Sequence, residues 1–267
     1  MAITGADVPG MAGAAAQSGL TRVRRFEAAG FRAWPAAHVH YDGTWAIRLT
    51  PGHPGKRLNS VNPLDPADSG DVAERLARAA DQFAAAGASL VLRLSPLAAP
   101  AIASHLDAAG WTRSGLSHVM AAQLSAFDFS DVLDQLPVRD VQRFATAHAA
   151  VRGGDGVAVA RVVSRIEPEA GMFVHEVAGR PAATAICVQD ADLAGLFEVA
   201  TAADHRRAGH ARRTVLTALK WARLRGARIA WLQVEADNRA ALDLYSSLGF
   251  STLYSYHYRR PPEGHGR

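Results

Sequence analysis

Disulfide chemistry is excluded first, because the 267 residues contain a single cysteine, Cys187. One thiol supports neither a disulfide framework nor a cysteine-built zinc site. Aromatic residues are sparse at 7%, and no uninterrupted apolar run approaches the ~20 residues of a membrane span. Met1 to Gly19 lacks the charged start and sustained apolar core of a secretory signal. Neither sign of charge dominates, with 29 Lys plus Arg against 25 Asp plus Glu and a net charge of +4. So mild an excess points to an anionic partner only where the cations cluster. Collagen-like and coiled-coil compositions are also missing. What is present is 49% hydrophobic and 20% charged residues, enough for a packed core. At about 100–200 residues per domain, this length predicts one large domain or two small ones. The expectation is a soluble, cytoplasmic globular protein.

Along the chain, Met1 to Gly19 reads as a Gly/Ala-rich tail, and the spacing predicts a helix over Thr21 to Trp34. Asp42-Gly43 between two strand patterns predicts a hairpin. Helices are expected over Asp71–Ala86 and Ile102–Ala109, with strands at Ser89–Leu94 and from Trp111 to about Leu124. The second half predicts helices near Val138–Val151 and Val157–Ile166. Strands follow at Met172–Val177, Ala182–Gln189 and Ala194–Thr201. A helix over Ala211–Arg225, a strand over Ile229–Glu235, a helix over Ala240–Leu248 and a strand over Phe250–Tyr258 complete the pattern.

The two halves resemble each other. Helix-stop glycines Gly87 and Gly226 are 139 residues apart (226 − 87), and so are Gly110 and Gly249 (249 − 110). The shared unit is helix, strand, helix, Gly-aromatic, strand. This predicts an α/β (α+β) chain of two related lobes, each a mixed twisted sheet flanked by helices. The expected division is a tail over 1–19, a first lobe over 20–125 and a second over 126–267.

Chemistry concentrates in Leu196 to Ala211, LFEVATAADHRRAGHA, where a strand runs through a loop into a helix. Gly209 allows a close backbone approach. The free N–H groups of the first helical turn, with the helix dipole, make an anion site suited to a pyrophosphate. Arg206, Arg207, Arg212 and Arg213 surround it. Four cations at a helix N-terminus are unfavourable alone, and a bound anion removes the conflict. An exposed basic helix start is the plainer alternative.

The order strand–Arg206-x-x-Gly209-x-Ala211–helix–strand, then Asn238 through Tyr245 to Gly249-Phe250, resembles the GCN5-related N-acetyltransferase (GNAT) family over roughly Val138 to Tyr258. The resemblance implies acetyl-CoA as cosubstrate and no metal. It implies pyrophosphate contacts from the backbone of Arg206, Arg207, Ala208, Gly209, His210 and Ala211. It also implies a bulged strand splayed from its neighbour, with Val199, Ala200 and Thr201 hydrogen-bonding the pantetheine arm. Asn238 matches a residue that contacts that arm, and Tyr245 one that contacts the sulfur.

In the implied reaction a neutral amine attacks a thioester carbonyl, and backbone N–H groups at the bulge stabilise the oxyanion. Tyr245 is the candidate general acid for the leaving thiolate, with a buried helix tyrosine as the alternative. Glu198 is the candidate acceptor of the amine's proton, equally readable as a structural strand glutamate. Asp204 and His205 are further candidates. In the first half, Ala67-Asp68-Ser69-Gly70-Asp71-Val72 aligns with the arginine loop. Two aspartates replace the arginines and would repel a pyrophosphate. Tyr245 aligns there with His105 or Leu106, so the first half is expected not to hold the cofactor.

Further features carry less. Lys56 to Asn62 reads as cleft lining or as a surface loop. His38 and His40 share a strand face without a third ligand, and Cys187 reads as a buried small residue. Lys220, Arg223, Arg225 and Arg228 form a solvated helix face or assist a 3′-phosphate. Tyr254, Tyr256 and Tyr258 suit a core edge, a substrate wall or a dimer contact. The expected acceptor is a small-molecule amine or a peptide, with neither nucleic acid nor membrane as partner, for a monomer or homodimer. The alternatives are a non-catalytic acyl-CoA-binding regulatory module and a nucleic-acid binder. The second lacks aromatics interleaved with its basic patch.

Overall fold

The structure is a computed structural model that describes residues 9–154 and 156–262. Helix α1 (Pro9–Ala33) comes first. The segment expected to be a tail up to Gly19 is therefore helical from Pro9, and the rest of that tail, residues 1–8, lies outside the described residues. Alanine is the strongest helix former, and the alanine-rich stretch reads better as helix than as tail. Strands β1 (His38–Asp42) and β2 (Trp45–Leu49) form the expected hairpin, with Gly43 at φ 58. Next comes β3 (Ser60–Pro63), where the sequence offered cleft lining or a surface loop. The surface-loop reading is corrected, because Leu58 to Asn62 are all buried. The asparagines are satisfied inside: Asn59 Oδ1 accepts from the Thr50 amide at 2.7 Å, and Asn62 Nδ2 donates to the Ser60 carbonyl at 2.8 Å.

The first half continues with α2 (Val72–Ala85), β4 (Leu92–Leu94), α3 (Pro100–Ala108) and β5 (Thr112–Gln123). The second half holds α4 (Val141–Arg152), α5 (Gly156–Val163), β6 (Glu169–Val177), β7 (Arg180–Asp190) and β8 (Leu193–Thr201). It ends with α6 (His210–Arg223), β9 (Ile229–Glu235), α7 (Arg239–Ser247) and β10 (Ser251–Arg260). The glycine stops act as expected. Gly110 and Gly249 take φ 72 and 88, and the Trp111 and Phe250 amides donate back to Leu106 and Tyr245 at 2.9 and 3.0 Å. Leu106, not His105, is thus the counterpart of Tyr245.

The expected mixed sheet flanked by helices is present, as one ten-stranded sheet in the order β1-β2-β3-β4-β10-β5-β9-β8-β7-β6. Strands on either side of α2 pair in parallel, β3 with β4, and so do those on either side of α6, β8 with β9. The last strand of each half crosses over: β10 pairs with β4, and β5 pairs with β9. The two halves of the chain therefore share one sheet, with β5 and β10 antiparallel at its centre.

Alternation of side chains across the sheet sorts the core. Leu196, Leu232, Val234 and Tyr245 belong to the cluster built with α6 and α7. Phe197, Trp231 and the tyrosines of β10 pack with α1 on Val23, Phe26 and Trp34. Tyr254, Tyr256 and Tyr258 are buried core residues, which corrects their reading as a dimer contact. Cys187 is buried too, and burial pushes its thiol up. Packing is close at Gly195, where an added Cβ would stand 2.8 Å from the Trp231 ring. Gly195→Ala is accordingly expected to cost about 1–3 kcal/mol by overpacking, measured by urea unfolding. An unchanged midpoint would mean that Trp231 moves freely. Among the described residues, no helix is long and apolar enough to cross a membrane.

Candidate functional site

The site begins where two parallel strands part. β8 and β9 pair from Leu193↔Ile229 to Leu196↔Leu232 and no further. Beyond that point Ala200 and Thr201 pair with Thr184 and Ala183 of β7, while Gln233 to Glu235 pair with β5. A bulge accompanies the parting: the register shifts between Thr184 and Ile186, and Glu198 takes φ 47. The extra residue bends β8 away from β9 and leaves a gap. Val199, Ala200 and Thr201 are half-buried along its edge.

From Thr201 the chain passes through a 3-10 turn (Ala203–His205) into α6. Arg207 and Gly209 both take left-handed angles, φ 63 and 80. Space is open around Gly209, so the backbone angle and not crowding requires glycine there. Gly209 caps α6 with no side-chain hydrogen bond. Among the described residues no group accepts from the amides of His210, Ala211 or Arg212, the ordinary condition of an uncapped helix start. The first turn carries no acidic residue. Arg213 pairs with Asp131 at 2.9 Å. Arg206, Arg207 and Ala208 are exposed. Free amides, a helix dipole and unneutralised arginines converge on one spot, which suits a multiply charged anion.

The His210 side chain turns away from this spot. Its Nδ1 lies 2.9 Å from His175 Nε2, and the His205 ring stands edge-on at 5.5 Å. Burial, then the charges of His210, Arg213 and His205, hold His175 below the ordinary imidazole range. His175 was not found from the sequence, where nothing marks a β6 histidine as a neighbour of α6. In the first half the corresponding cap is Asp71, at φ 51, one residue after the aligned Gly70. Asp68 there accepts from Arg75 and Thr44, both at 2.6 Å, so that loop is filled by its own ion pair.

Tyr245 lies on α7. Asn238 caps that helix, its Oδ1 accepting from the Ala241 amide at 3.2 Å, so its oxygen is committed to the backbone. The Tyr245 ring is buried edge-on to Phe250, in the same cluster as Leu196 and Val199. Burial pushes its phenol up, so it is a proton donor at neutral pH. Among the described residues nothing accepts from its hydroxyl.

Glu198 sits at the bulge among cations. Arg152 Nη1 donates to its Oε2 at 3.0 Å, and His148 Nε2 lies 3.0 Å from the same oxygen, off the line of a hydrogen bond. His148, buried on α4, is held by Thr184 Oγ1 at 2.8 Å. Burial opposes the Glu198 charge, but His148, Arg57 and Arg152 outweigh it and hold the carboxyl below its ordinary range. The sequence singled out Glu198 and missed His148 and Arg152, because a helix partner far upstream leaves no spacing signal. Asp204 is exposed, with His205 3.9 Å away, and neither touches Glu198. Lys220 and Arg223 lie at the far end of α6, ~20 Å from Gly209 at 1.5 Å per residue. Arg225, just beyond, pairs with Glu169 at 2.6 Å. These cations are remote from the α6 N-terminus and take no part in its anion spot. Among the described residues no cluster of three His, Cys, Asp or Glu side chains is arranged to hold a metal ion, the His38 and His40 strand included.

On the other face of the sheet a cavity of about 10 Å³, room for about one water, is lined by Phe31, Trp34, Arg48, Arg57, Phe197 and Gln233, with Glu27 and Arg93. Phe197 immediately precedes the bulge, and Gln233 immediately follows the last β8–β9 pair. Tyr245 and this pocket therefore lie on opposite faces of the sheet.

A family model described as "Probable histone acetyltransferase Rv0428c C-terminal" matches residues 21–259. The chain is 37% identical over 65 residues to "Uncharacterized N-acetyltransferase YobR" of Bacillus subtilis, covering 24% of this chain and 26% of that protein. It is 40% identical over 73 residues to "[Ribosomal protein bS18]-alanine N-acetyltransferase" of Escherichia coli, covering 27% of this chain and 49% of the relative. The matches thus span half or less of those curated relatives. Among solved structures, a GCN5-related N-acetyltransferase from Kribbella flavida superposes with TM-score 0.65 at 22% identity, over 92% of this chain and 96% of that one. The chain belongs to the family that this model describes, the C-terminal region of the probable histone acetyltransferase Rv0428c.

Proposed function

We propose that the chain transfers an acetyl group from acetyl-CoA to a primary amine by direct attack. The observation that carries this reading is the β8–β9 gap, bulged at Glu198 and ending at the uncapped N-terminus of α6. Its donor set fits the cosubstrate. Arg206, Arg207, Ala208, Gly209, His210 and Ala211 would meet the pyrophosphate through backbone amides and flanking charge. Val199, Ala200 and Thr201 offer a strand edge to the pantetheine arm, and the Asn238 amide nitrogen remains for the same arm.

The amine nitrogen forms a bond to the thioester carbon, and the C–S bond then breaks. Tyr245 donates its proton to the departing sulfur. The amine's proton leaves by the opposite face. An ordinary carboxylate lies about 6 pKa units below an alkylamine, ~8 kcal/mol uphill, so Glu198 alone is a poor final acceptor. With His148 beside it, Glu198 collects the proton and passes it to the imidazole or to water. Amides freed at the bulge stabilise the oxyanion.

We further propose that residues 20–125 are a degenerate copy of the catalytic unit 126–267. The support is the matching strand order read from either end of the sheet, and the equivalent Leu106 and Tyr245 helix closures. The first copy has lost the arginines and the tyrosine, and it shapes the substrate cleft. The acceptor is a small-molecule amine or a peptide; the histone in the family's description and the ribosomal protein acetylated by one relative favour the peptide class. The protein works in the cytoplasm as a monomer or homodimer. An amine panel followed by release of free CoA tests the proposal. Turnover of at least one amine is expected. Acetyl-CoA binding with no turnover of any amine would instead select a non-catalytic acyl-CoA-binding module.

A further inference from the structure

Thr184 places a fully buried hydroxyl on β7, opposite the β8 bulge, where the register shifts between Thr184 and Ile186. Its Oγ1 lies 2.8 Å from His148 Nδ1 and 3.5 Å from the backbone carbonyl of Glu198. That carbonyl can only accept. A Thr184 hydroxyl turned toward it leaves its own oxygen free to accept from a proton on Nδ1. The other ring nitrogen decides between the tautomers. His148 is buried, and its Nε2 makes no hydrogen bond although Glu198 Oε2 is 3.0 Å away, because the two are out of line. A proton on Nε2 would be a buried donor without a partner, whereas a proton on Nδ1 has Thr184. The neutral ring therefore carries its proton on Nδ1 and turns a bare Nε2 toward the Glu198 carboxyl.

We propose that Thr184 is a positioning residue that fixes His148 in this tautomer, so that His148 Nε2, and not water, is where the proton taken up by Glu198 comes to rest. This rests on the acetyl-transfer reading for the source of the proton; the tautomer stands on its own geometry. As the amine attacks, one of its N–H bonds breaks and the proton joins Glu198 Oε2. That O–H bond then breaks as an N–H bond forms at His148 Nε2. A small turn of the carboxyl brings its oxygen onto the ring lone pair, an alignment that catalytic hydrogen bonds commonly reach only in the loaded enzyme. The imidazolium keeps both protons partnered, Nδ1–H on Thr184 Oγ1 and Nε2–H on the Glu198 carboxylate. An ordinary imidazole lies about 2 pKa units above an ordinary carboxyl, so the step runs downhill. Once the amide product leaves, the proton returns through Glu198 to water. Four charged or titratable groups surround this pair. Glu198 faces the ring from β8, and Arg152 reaches the same carboxyl from the end of α4. Arg57 and His53, in the loop before β3, interact with Glu198 from its other side. Phe144 stacks on the ring at 5.8 Å and adds no charge.

Histidine-selective ¹⁵N NMR of the full chain reads the tautomer directly, with His148→Gln identifying the signal. A protonated Nδ1 and a bare Nε2 are expected at neutral pH. Steady-state kinetics with the best amine of the panel reads the consequence. Thr184→Val keeps the shape and removes the hydroxyl. It should lower kcat about tenfold or more and leave the KM for acetyl-CoA within about twofold. It should also move the acid limb of kcat/KM down by about 0.5 pH unit or more, because the imidazolium loses the acceptor of its Nδ1 proton. Thr184→Ser keeps the hydroxyl and should bring back both the rate, to within about threefold, and the position of the limb. A loss of packing alone would not move the limb. Thermal unfolding checks both variants, and the tautomer of the unmodified chain decides if Thr184→Val does not fold. A proton found on Nε2 with Nδ1 bare, or a Thr184→Val profile whose acid limb stays in place, overturns the inference. A chain that turns over no amine overturns the acetyl-transfer reading instead, and leaves the NMR result readable.

Discussion

Tyr245→Phe is expected to lower kcat by about 10²–10⁴-fold, the usual worth of a general acid, with acetyl-CoA affinity nearly unchanged. The substitution removes one oxygen and keeps the ring. The edge-on packing against Phe250 and the closure of α7 through the Phe250 amide therefore survive. What disappears is a protonated phenol with no acceptor among the described residues, on a ring buried in the cluster that holds Leu196. A hydrogen bond to the sulfur that strengthens only as the thiolate forms affects kcat and kcat/KM together. Steady-state kinetics with the best amine of the panel checks this. A kcat within twofold of the unmodified chain would assign the sulfur's proton to water and leave Tyr245 a packing role.

Glu27→Ala is expected to destabilise the fold by about 3–5 kcal/mol, a hundredfold or more in the folding equilibrium. Glu27 reaches from α1 into the centre of the sheet, where Arg93 of β4 holds both its oxygens and the Tyr254 hydroxyl donates to Oε1 at 2.8 Å. Glu27 and Arg93 are 3% and 4% exposed. Burial works against the Arg93 charge, and the Glu27 carboxylate more than reverses it, holding the group above its ordinary range. Without Glu27, Arg93 remains buried over the Tyr256 ring, 3.6 Å from its centre, with no carboxylate. Urea unfolding measures the loss. A second variant that also carries Arg93→Leu should recover part of it, because the cost arises from the stranded charge. A loss below about 1 kcal/mol would mean that water reaches the pair.

Local signals were the most legible in the sequence. Gly110 and Gly249 stop their helices with the expected left-handed turns, and Asp42-Gly43 makes its hairpin. The Arg206 to Ala211 loop enters α6 as the resemblance implied, with Gly209 at the cap. What escaped was long-range. Neither β5 nor β10 reveals in its own pattern that it pairs across to the other half, because a period of two fixes a face and not a partner. β3 was hidden by its polar residues, which are buried because Asn59 and Asn62 find backbone partners that no pattern predicts. The cationic setting of Glu198 also comes from distant segments: Arg152 and His148 from α4, Arg57 from the chain just before β3.

The central claim is that the uncapped start of α6 binds acetyl-CoA, and calorimetric titration of acetyl-CoA into the unmodified chain and into Gly209→Glu tests it most directly. The substitution forces a side chain onto φ 80 and sets a carboxylate beside the free amides of the first turn of α6. A like charge about 4–6 Å from the phosphates at an effective dielectric near 20 costs roughly 3–4 kcal/mol, a hundredfold or more in affinity. The unmodified chain should bind one acetyl-CoA, and Gly209→Glu should show at least a hundredfold weaker binding. Equal binding by both proteins, or no binding by either, would contradict the claim.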